Sequence, residues 1–324
     1  MPLPVLVTES EFRRAESTFT STAGFDCRVA PRAEDALCDA IVQHGVRAVV
    51  VGSAPYRDRL YTTLGPGGLI ARFGVGYDNI DRARATGAGV LCTNTPDVLQ
   101  QSVAELTMTM IGAAARHVLL VATALQGGNW SPREGSELEG KTLALIGCGA
   151  IAQAVARIAS AGFGMRVVGY ARTPRQPPQY FSGTTTDFAE AVRGADFVSL
   201  HIPGSAENAH FLAQERLAQL QPHAWLINTA RGAVVDEHAL FDALASGRLA
   251  GAALDVFEHE PYEPAGAEHD LRTLPNVILV PHIGSNTVEA NRRMALRALR
   301  NVQLAADGEL AALDLINPDV LTRR

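Results

Sequence analysis

The sequence predicts an α/β protein of two Rossmann- or flavodoxin-like domains with parallel sheets, separated by a cleft. Three observations support this. Short apolar runs alternate with helical patterns along the chain, a glycine-rich loop directly follows one apolar run in mid-chain, and 324 residues exceed one ordinary core. Because strands joined by helices run parallel, helices should cover both faces of each sheet.

The first domain is predicted over residues 1–100 together with 287–324. Its apolar runs predict strands at Val5–Thr8, Ala48–Val51, Ile70–Phe73 and Val90–Cys92. Helical patterns follow at Ala33–His44 and Ile80–Thr86. An Arg- and Ala-rich segment, Glu289–Leu304, is predicted to be a helix that returns to this domain.

The second domain is predicted over residues 101–286. It opens with a nearly uncharged segment from Ser102 to about Leu125, which predicts one long helix buried on several faces. A second series of strands follows a Gly- and Pro-containing loop. These strands are expected at Thr142–Ile146, Arg166–Tyr170, Phe197–Leu200, Trp225–Asn228, Gly251–Leu254 and Val277–Leu279.

Composition narrows the class of protein. Apolar residues make up 47% and charged residues 19%, and a net charge of -6 without charge blocks favours neither nucleic acid nor an anionic membrane as partner. The four cysteines form no CxxC pair, so we predict reduced thiols and no metal site. The N-terminus lacks the basic start of a signal peptide, and no uncharged run is long enough to cross a bilayer, which predicts a soluble, cytoplasmic protein.

The glycine-rich loop is the first functional signal. Gly147-Cys148-Gly149-Ala150-Ile151-Ala152 has the pattern GxGxxA, placed after a strand and opening a helix. Gly147 permits the tight turn, Gly149 lets the backbone approach a pyrophosphate, and Ala152 allows close packing of helix on strand. The helix N-terminus offers N–H groups to the phosphates. The pattern predicts dinucleotide binding by Gly147, Gly149, Ala150 and Ile151.

The end of the next strand bears on the cofactor's ribose. An NAD site usually places a carboxylate there, whereas this chain has Ala171 followed by Arg172 and Thr173, with Arg175 nearby. A guanidinium would bind a 2′-phosphate that a carboxylate would repel. We therefore predict NADP rather than NAD; the alternative is that these arginines are solvated loop charges.

Polar residues follow three later strands, at the sheet edge where open α/β sheets bind ligands. The three segments are Ile227–Glu237, Ala253–Pro261 and Val280–Thr287. Together with Phe73–Asp81, Asn94–Pro96, Val103–Glu105 and Leu138–Thr142, they resemble the D-isomer-specific 2-hydroxyacid dehydrogenase family in order and spacing, from about residue 70 to 290. The resemblance implies an active-site cleft, a small 2-keto or 2-hydroxy acid as substrate, and a homodimer.

The resemblance also assigns three catalytic residues. His282, in Pro-His-x-Gly, would supply the proton for the reduction of a 2-keto acid. Glu260 would favour the charged imidazolium. Arg231 would hold the substrate's carboxylate or carbonyl oxygen and polarise the carbonyl. Taken singly, each of these residues also has a purely structural explanation, such as bracing a loop.

Further residues are assigned to cofactor and substrate by the same resemblance. Asp255 would contact the nicotinamide carboxamide, and Thr229 and Ala230 would line the same wall. The backbone of Val75 and Gly76 would receive the substrate carboxylate. The complete cofactor set comprises Gly147, Gly149, Ala150, Ile151, Arg172, Thr173, Thr229, Ala230, Asp255, His282 and Gly284, and the substrate set comprises Val75, Gly76, Arg231 and His282.

Several functions stay open at this point. Relatives in the family that oxidise phosphite have a lysine at the position of Val75, and those that oxidise formate have Gln in place of Glu260, so the resemblance argues against both substrates. The missing ribose carboxylate favours glyoxylate or hydroxypyruvate reduction, with a phosphoglycerate-type dehydrogenase as an alternative. A cofactor-sensing binding protein, similar to the C-terminal-binding corepressors, is the alternative from another class. A methyltransferase is disfavoured, because the acid that holds the ribose of its cofactor is absent at Ala171-Arg172.

Overall fold

The computed structural model describes residues 1–322. The predicted first domain ends at residue 324, so its last two residues lie outside the described part. The chain divides into two compact units. Unit 1 comprises Met1–Leu99 and Ser285–Arg324, described as far as Thr322, and unit 2 comprises Gln100–Gly284.

Unit 1 contains a five-stranded parallel sheet. Its strands are β1 (Leu3–Thr8), β2 (Phe25–Ala30), β3 (Ala48–Val51), β4 (Leu69–Arg72) and β5 (Leu91–Thr93). Their spatial order β2-β1-β3-β4-β5 is the flavodoxin-like order. Strand β2 was not predicted, because this edge strand mixes polar and apolar residues, and only one of its six residues is buried.

Five helices of unit 1 lie between or beside these strands. They are α1 (Glu9–Arg14), α2 (Glu16–Ser21), α3 (Glu34–His44), α4 (Arg59–Leu64) and α5 (Arg82–Gly87). Asp81 caps α5 by accepting a hydrogen bond from the Arg84 N–H at 3.0 Å. The segment predicted as a returning helix forms a C-terminal helix over Val288–Ala306, which packs on β4 and α2.

Unit 2 contains a seven-stranded parallel sheet. Its strands are β6 (Thr142–Ile146), β7 (Arg166–Tyr170), β8 (Gly183–Thr185), β9 (Phe197–Leu200), β10 (Trp225–Asn228), β11 (Gly251–Leu254) and β12 (Val277–Leu279). The order β12-β11-β10-β9-β6-β7-β8 reverses direction between β6 and β9, which is the Rossmann arrangement. Six of these strands have the predicted bounds; the short edge strand β8 was missed.

The helices of unit 2 cover both faces of this sheet. They are α6 (Gln100–Ala115), α7 (Val118–Gln126), α8 (Ala150–Arg157), α9 (Phe188–Val192), α10 (Gln214–Leu217) and α11 (Glu237–Ala245). Along β6, Leu143 and Leu145 belong to one core cluster and Ala144 and Ile146 to another. This alternation places a separate apolar core on each face.

The prediction of one long helix from Ser102 to Leu125 was wrong. The chain breaks after α6, and His117 takes a positive φ of 53° before α7 begins. Helix α6 is buried on several faces as expected, whereas α7 has no buried residue. In the described chain, no single helix is long and apolar enough to cross a membrane; α6 and α7 pass such a test only as a pair bent by 66°.

Candidate active site

The loop after β6 turns on a glycine that cannot be replaced without rearrangement. Gly147 has a φ of +106°, and a Cβ added there would overlap the backbone carbonyl of His201. Its N–H donates to the Tyr170 carbonyl at 2.9 Å. Steric crowding therefore explains why the tight turn predicted at this position needs glycine.

Gly149 precedes α8 and differs from Gly147. A Cβ on Gly149 would meet no heavy atom within 4 Å, so the folded chain itself does not require glycine there. The open space lies at the N-terminus of α8, whose first residues are Ala150 and Ile151, while Ala152 is fully buried against the sheet. An open backbone at a helix N-terminus suits a pyrophosphate, so these residues fit a dinucleotide.

A polar cavity of about 270 Å³ lies where β7 ends. Its lining consists of Ala171, Thr173, Pro174, Arg175 and the run Thr184–Thr186. Arg175 Nη1 donates to the Cys148 carbonyl at 3.3 Å, which ties this region to the glycine-rich loop. Arg172 pairs with Glu207, Nη1 to Oε2 at 2.9 Å, and both side chains are mostly exposed.

The loop after β10 is shaped by Asn228, which the sequence analysis did not single out. Its Oδ1 accepts the Ala230 N–H at 3.0 Å, and its Nδ2 donates to the Arg231 carbonyl at 2.9 Å. The Arg231 guanidinium donates to the Ala230 carbonyl at 2.6 Å. Asn228 is 1% exposed, so the loop that presents Arg231 is held by a buried amide.

A second residue that the sequence analysis missed supports the same loop from α6. The hydroxyls of Thr107 and Thr229 lie 2.9 Å apart, and both side chains are buried. Thr107 gives no motif signal, since it lies in a helix more than a hundred residues earlier in the chain. Its contact follows from the packing of α6 on the sheet.

His282 and Glu260 form the central pair of the site. Their Nδ1 and Oε2 atoms lie 2.6 Å apart, with side chains 43% and 35% exposed. The other carboxylate oxygen of Glu260 accepts the Phe257 N–H at 3.1 Å. One carboxylate oxygen of Glu260 thus orients the imidazole, and the other holds the loop after β11.

Glu260 is ionised at neutral pH. Burial alone would raise the pKa of its carboxyl, but the hydrogen bond to His282 and the charge of that residue lower this pKa. The Phe257 N–H and the charge of Arg231 act in the same direction, and the net pKa of Glu260 lies below its usual value. Glu260 thus places a charged carboxylate against the His282 imidazole.

The loops carrying Arg231 and Glu260 touch at Gly232. A Cβ on Gly232 would overlap the Phe257 carbonyl and crowd the Glu258 N–H, so only glycine allows this approach. The close approach brings the segment after β10 against the segment after β11. Arg231 and Glu260, distant in sequence, thereby belong to one site in unit 2.

Asp255 is almost fully buried and holds the loop that carries His282. Its two carboxylate oxygens accept the Ile283 N–H at 2.6 Å and the Gly284 N–H at 2.8 Å. Its carbonyl accepts the His282 N–H at 2.8 Å. Burial raises the pKa of Asp255, an effect that these backbone donors oppose. A Cβ on Gly284 would lie 2.8 Å from Oδ2, which explains the glycine.

Val75 and Gly76, predicted to receive the substrate carboxylate, lie in unit 1 after β4. The Val75 carbonyl accepts a hydrogen bond from Asn94 Nδ2 at 2.7 Å, and the Thr95 hydroxyl accepts the neighbouring Gly74 N–H at 3.0 Å. These side chains shape the segment, and its predicted part in substrate binding stays a prediction.

Comparison with known proteins places the chain in a family. Residues 108–284 match the profile described as D-isomer specific 2-hydroxyacid dehydrogenase, NAD binding domain. The glyoxylate reductase of Thermococcus litoralis is 42% identical over 264 residues, which cover 78% of each chain. The hydroxypyruvate reductase of Thermotoga maritima is 39% identical over 236 residues, covering 72% of this chain and 76% of the relative.

Solved structures of related reductases have the same fold as this chain. The NADPH-dependent glyoxylate/hydroxypyruvate reductase of Sinorhizobium meliloti, in complex with NADP and malonate, superposes with a TM-score of 0.78. It is 29% identical, and the match covers 94% of this chain and 93% of that one. The chain belongs to the D-isomer-specific 2-hydroxyacid dehydrogenase family. It is a nicotinamide-dependent oxidoreductase that acts on a CH–OH group, or on the corresponding keto group in reverse.

Proposed function

We propose that the chain is an NADP-dependent reductase of small 2-keto acids, with glyoxylate and hydroxypyruvate as substrates. The observation that carries the proposal is the His282–Glu260 pair at 2.6 Å, with the charge of Arg231 acting on Glu260. Two relatives at about 40% identity are named glyoxylate reductase and hydroxypyruvate reductase. Their names support this substrate class.

His282 acts as the proton donor in this proposal. Because Glu260 engages Nδ1, the other ring nitrogen, Nε2, is available to the carbonyl oxygen of the substrate. The ionised carboxylate of Glu260 favours the imidazolium, which gives up its proton as negative charge develops on that oxygen. When bound, the reduced nicotinamide supplies the hydride to the carbonyl carbon.

Arg231 binds the substrate anion and polarises its carbonyl. A guanidinium suits a carboxylate, because its planar donors match two oxygens at once. Arg231 already donates to the Ala230 carbonyl at 2.6 Å, which limits the side chain's freedom before substrate arrives. Such positioning lowers the entropy lost on binding.

His282→Ala tests the catalytic assignment. We expect kcat for NADPH-dependent glyoxylate reduction to fall by a factor of about 10² to 10⁴, the usual contribution of a general acid. The Kd for NADPH, measured by fluorescence quenching, should stay nearly unchanged. His223→Ala is the matched control, since His223 is exposed and pairs with Asp196 elsewhere in unit 2. Full turnover in His282→Ala would overturn the assignment.

The preference for NADP rests on the cavity at the end of β7. Arg175 lines it together with four threonines, and a guanidinium is a donor suited to a phosphate. Arg172 stands two residues after the last residue of β7 and is held by Glu207 at 2.9 Å. A 2′-phosphate would have to compete with Glu207 for Arg172. Glu207 thus weakens the NADP preference that the sequence analysis ascribed to Arg172.

Cofactor kinetics test this preference with paired variants. Wild type should have a much higher kcat/KM with NADPH than with NADH. Arg172→Ala should lower kcat/KM with NADPH by about tenfold or more, because a charge-assisted hydrogen bond is lost. The same variant should leave kcat/KM with NADH nearly unchanged. Glu207→Gln should raise the NADPH value, and exposed Arg193→Ala should change neither. A higher kcat/KM with NADH in wild type would contradict the proposal.

A panel of 2-keto acids tests the substrate class. Glyoxylate and hydroxypyruvate should give the highest kcat/KM, and larger 2-keto acids lower values. No turnover of any member with either cofactor would favour a cofactor-sensing binding role. Turnover confined to the phosphorylated substrate of a phosphoglycerate-type dehydrogenase would contradict the proposed specificity.

We also propose that the protein is a homodimer and that α7 contributes to the interface. Val118, Leu119 and Leu125 are 49%, 49% and 55% exposed, and Trp130, shortly after α7, is 83% exposed. An apolar helix and a tryptophan exposed together are typical of a contact surface. The break at His117 turns these side chains away from the core that buries α6.

Light scattering after size-exclusion chromatography tests the dimer. Leu119→Glu combined with Leu125→Glu should shift a dimer towards the monomer mass. Leu296→Glu is the control, since Leu296 is 42% exposed but lies on the C-terminal helix. A monomeric wild type, or a dimer that the double variant leaves intact, would rule α7 out as the interface.

A further inference from the structure

A cluster of two imidazoles and a carboxylate lies in unit 2, apart from the three proposed catalytic side chains. His238 and Asp242 are one turn apart on α11, and their Nδ1 and Oδ2 atoms are separated by 3.7 Å. His269 comes from the segment between β11 and β12, with Nε2 at 3.3 Å from Asp242 Oδ1. One potential ligand atom from each residue can be chosen so that all three lie within 4.8 Å of one another.

We propose that His238, Asp242 and His269 form a binding site for a divalent transition metal ion. Two imidazole nitrogens and one carboxylate oxygen are the ligand types of Zn²⁺ and its neighbours in the first transition row. Solvent would complete the coordination, since His238 and Asp242 are 56% and 64% exposed and His269 is 21% exposed. No metal site was predicted from the sequence, since the cysteines form no CxxC pair, and this cluster contains no cysteine and joins residues far apart in the chain.

The separations fit a shared ion better than direct hydrogen bonds. Charge-assisted N–H···O bonds are about 2.7–2.9 Å long, and the Glu260–His282 separation of 2.6 Å is slightly shorter than this range. Two ligand atoms at about 2.1 Å from a tetrahedral ion lie roughly 3.4 Å apart. The separations of 3.7 Å from His238 Nδ1 to Asp242 Oδ2 and 3.3 Å from His269 Nε2 to Asp242 Oδ1 are close to that value, and they end on the two oxygens of one carboxylate.

The two imidazole rings of the cluster are in direct contact. The His238 and His269 rings stack with centroids 3.5 Å apart and an interplanar angle of 27°. An imidazole binds a metal ion through a lone pair in its ring plane, so one of these nearly parallel rings must rotate for both to bind one ion. His238, at 56% exposed, is the ring with space to rotate. Neutral imidazole is the form that binds metals. An edge contact from Phe241, with centroids 5.0 Å apart, limits the movement of His269.

An ordinary surface ion pair would not explain the cluster. An exposed His–Asp pair on one helix contributes little to stability, and nothing in such a pair recruits a third residue. Here the third residue comes from a different segment and lies against the same carboxylate. The cluster therefore has the composition of a site rather than of a solvated helix face.

A bound ion would tie the segment after β11 to α11. That segment carries Glu260, and it folds back through Tyr262, whose ring lies 4.9 Å from that of Phe257. The Tyr262 hydroxyl accepts the Leu271 N–H at 2.9 Å, two residues beyond His269. The ion would thus stabilise the end of this segment that is farther from Glu260. Its role would be structural, and it would take no part in the reaction.

Calorimetric titration of the full chain with ZnCl₂, after removal of metals with EDTA, tests the site. We expect wild type to bind Zn²⁺ at this site near neutral pH, with a rise in Tm on addition of the ion. His238→Gln and His269→Gln should each weaken this binding by more than about tenfold, since even partners of metal ligands contribute tenfold or more. Lowering the pH towards 5 should also weaken it, because protons compete for the imidazoles.

Two controls keep the result specific. His223→Gln removes a histidine that lies 3.7 Å from Asp196, outside the cluster, and should bind Zn²⁺ as wild type does. Equal Tm values for all variants in EDTA would show that the substitutions leave the fold intact. Unchanged Zn²⁺ affinity in both cluster variants would overturn the proposal. Binding that is lost only in His282→Ala would do so as well, since the ion would then sit at the catalytic pair.

Discussion

Glu237→Gln removes a buried ionisable group and should change how stability depends on pH. Glu237 begins α11, is 3% exposed, and accepts the Glu258 N–H on Oε1 at 2.8 Å. Burial raises the pKa of its carboxyl from 4.5 to about 7; the Glu258 N–H and the charge of His259 oppose the shift, and the charges of Glu258 and Glu260 add to it. Glutamine keeps the accepting oxygen and removes the titration.

The sign and size of the effect follow from proton linkage. The folded-state pKa is raised, so the two states differ in protonation between about pH 4.5 and 7. In this range the folded chain keeps a proton that the unfolded chain has already released. The stability from this proton is fully present below pH 4.5 and is lost as the pH rises through about 7. The difference between the two pKa values corresponds to about 3 kcal/mol.

Thermal unfolding followed by circular dichroism at several pH values between 5 and 8 measures this loss. From pH 5 to 8 the free energy of unfolding should fall by up to about 3 kcal/mol more in wild type than in Glu237→Gln. For a domain of this size, that corresponds to roughly 6–12 °C in Tm. Glu215→Gln on α10, an exposed position, should follow the wild-type curve. Parallel curves for wild type and Glu237→Gln would refute the reasoning, since Glu237 would then titrate alike in both states.

Three further substitutions separate binding from stability. Gly149→Ala should leave Tm nearly unchanged, since its Cβ meets no atom within 4 Å, but should raise the Kd for NADPH measured by fluorescence. Gly232→Ala should destabilise the fold by about 3 kcal/mol or more in urea unfolding, because its Cβ overlaps the Phe257 carbonyl. A folded, fully stable Gly232→Ala would contradict the close approach of the two loops. Asp255→Asn replaces one acceptor by a donor facing a backbone N–H and should cost about 1–3 kcal/mol; unchanged urea unfolding would show that the loop has other support.

Strand periodicity predicted the central part of unit 2 closely, and the failures have local physical causes. Strands such as β6 and β9 are buried along nearly their whole length and consist mostly of apolar residues. Edge strands β2 and β8 lie partly in solvent and carry no such run. The break at His117 gave no signal, because neither glycine nor proline marks it, and a positive φ at histidine is uncommon.

The sequence by itself predicted the chemistry of the site. The GxGxxA loop follows a strand, and Arg231, Glu260 and His282 stand in segments after later strands, where a parallel sheet gathers such residues at one edge. Chain order, residue type and the resemblance to a known family suffice for these predictions. They need no distance between particular atoms.

Tertiary structure decided which groups pair and which are buried. Only packing brings Glu260 Oε2 to 2.6 Å from His282, sets Glu207 against Arg172, buries the Glu237 carboxyl, and gathers His269 with α11. The physical reason is that sequence patterns report local periodicity. A pKa, an ion pair or a metal site instead depends on contacts between segments far apart in the chain, and those exist only after folding.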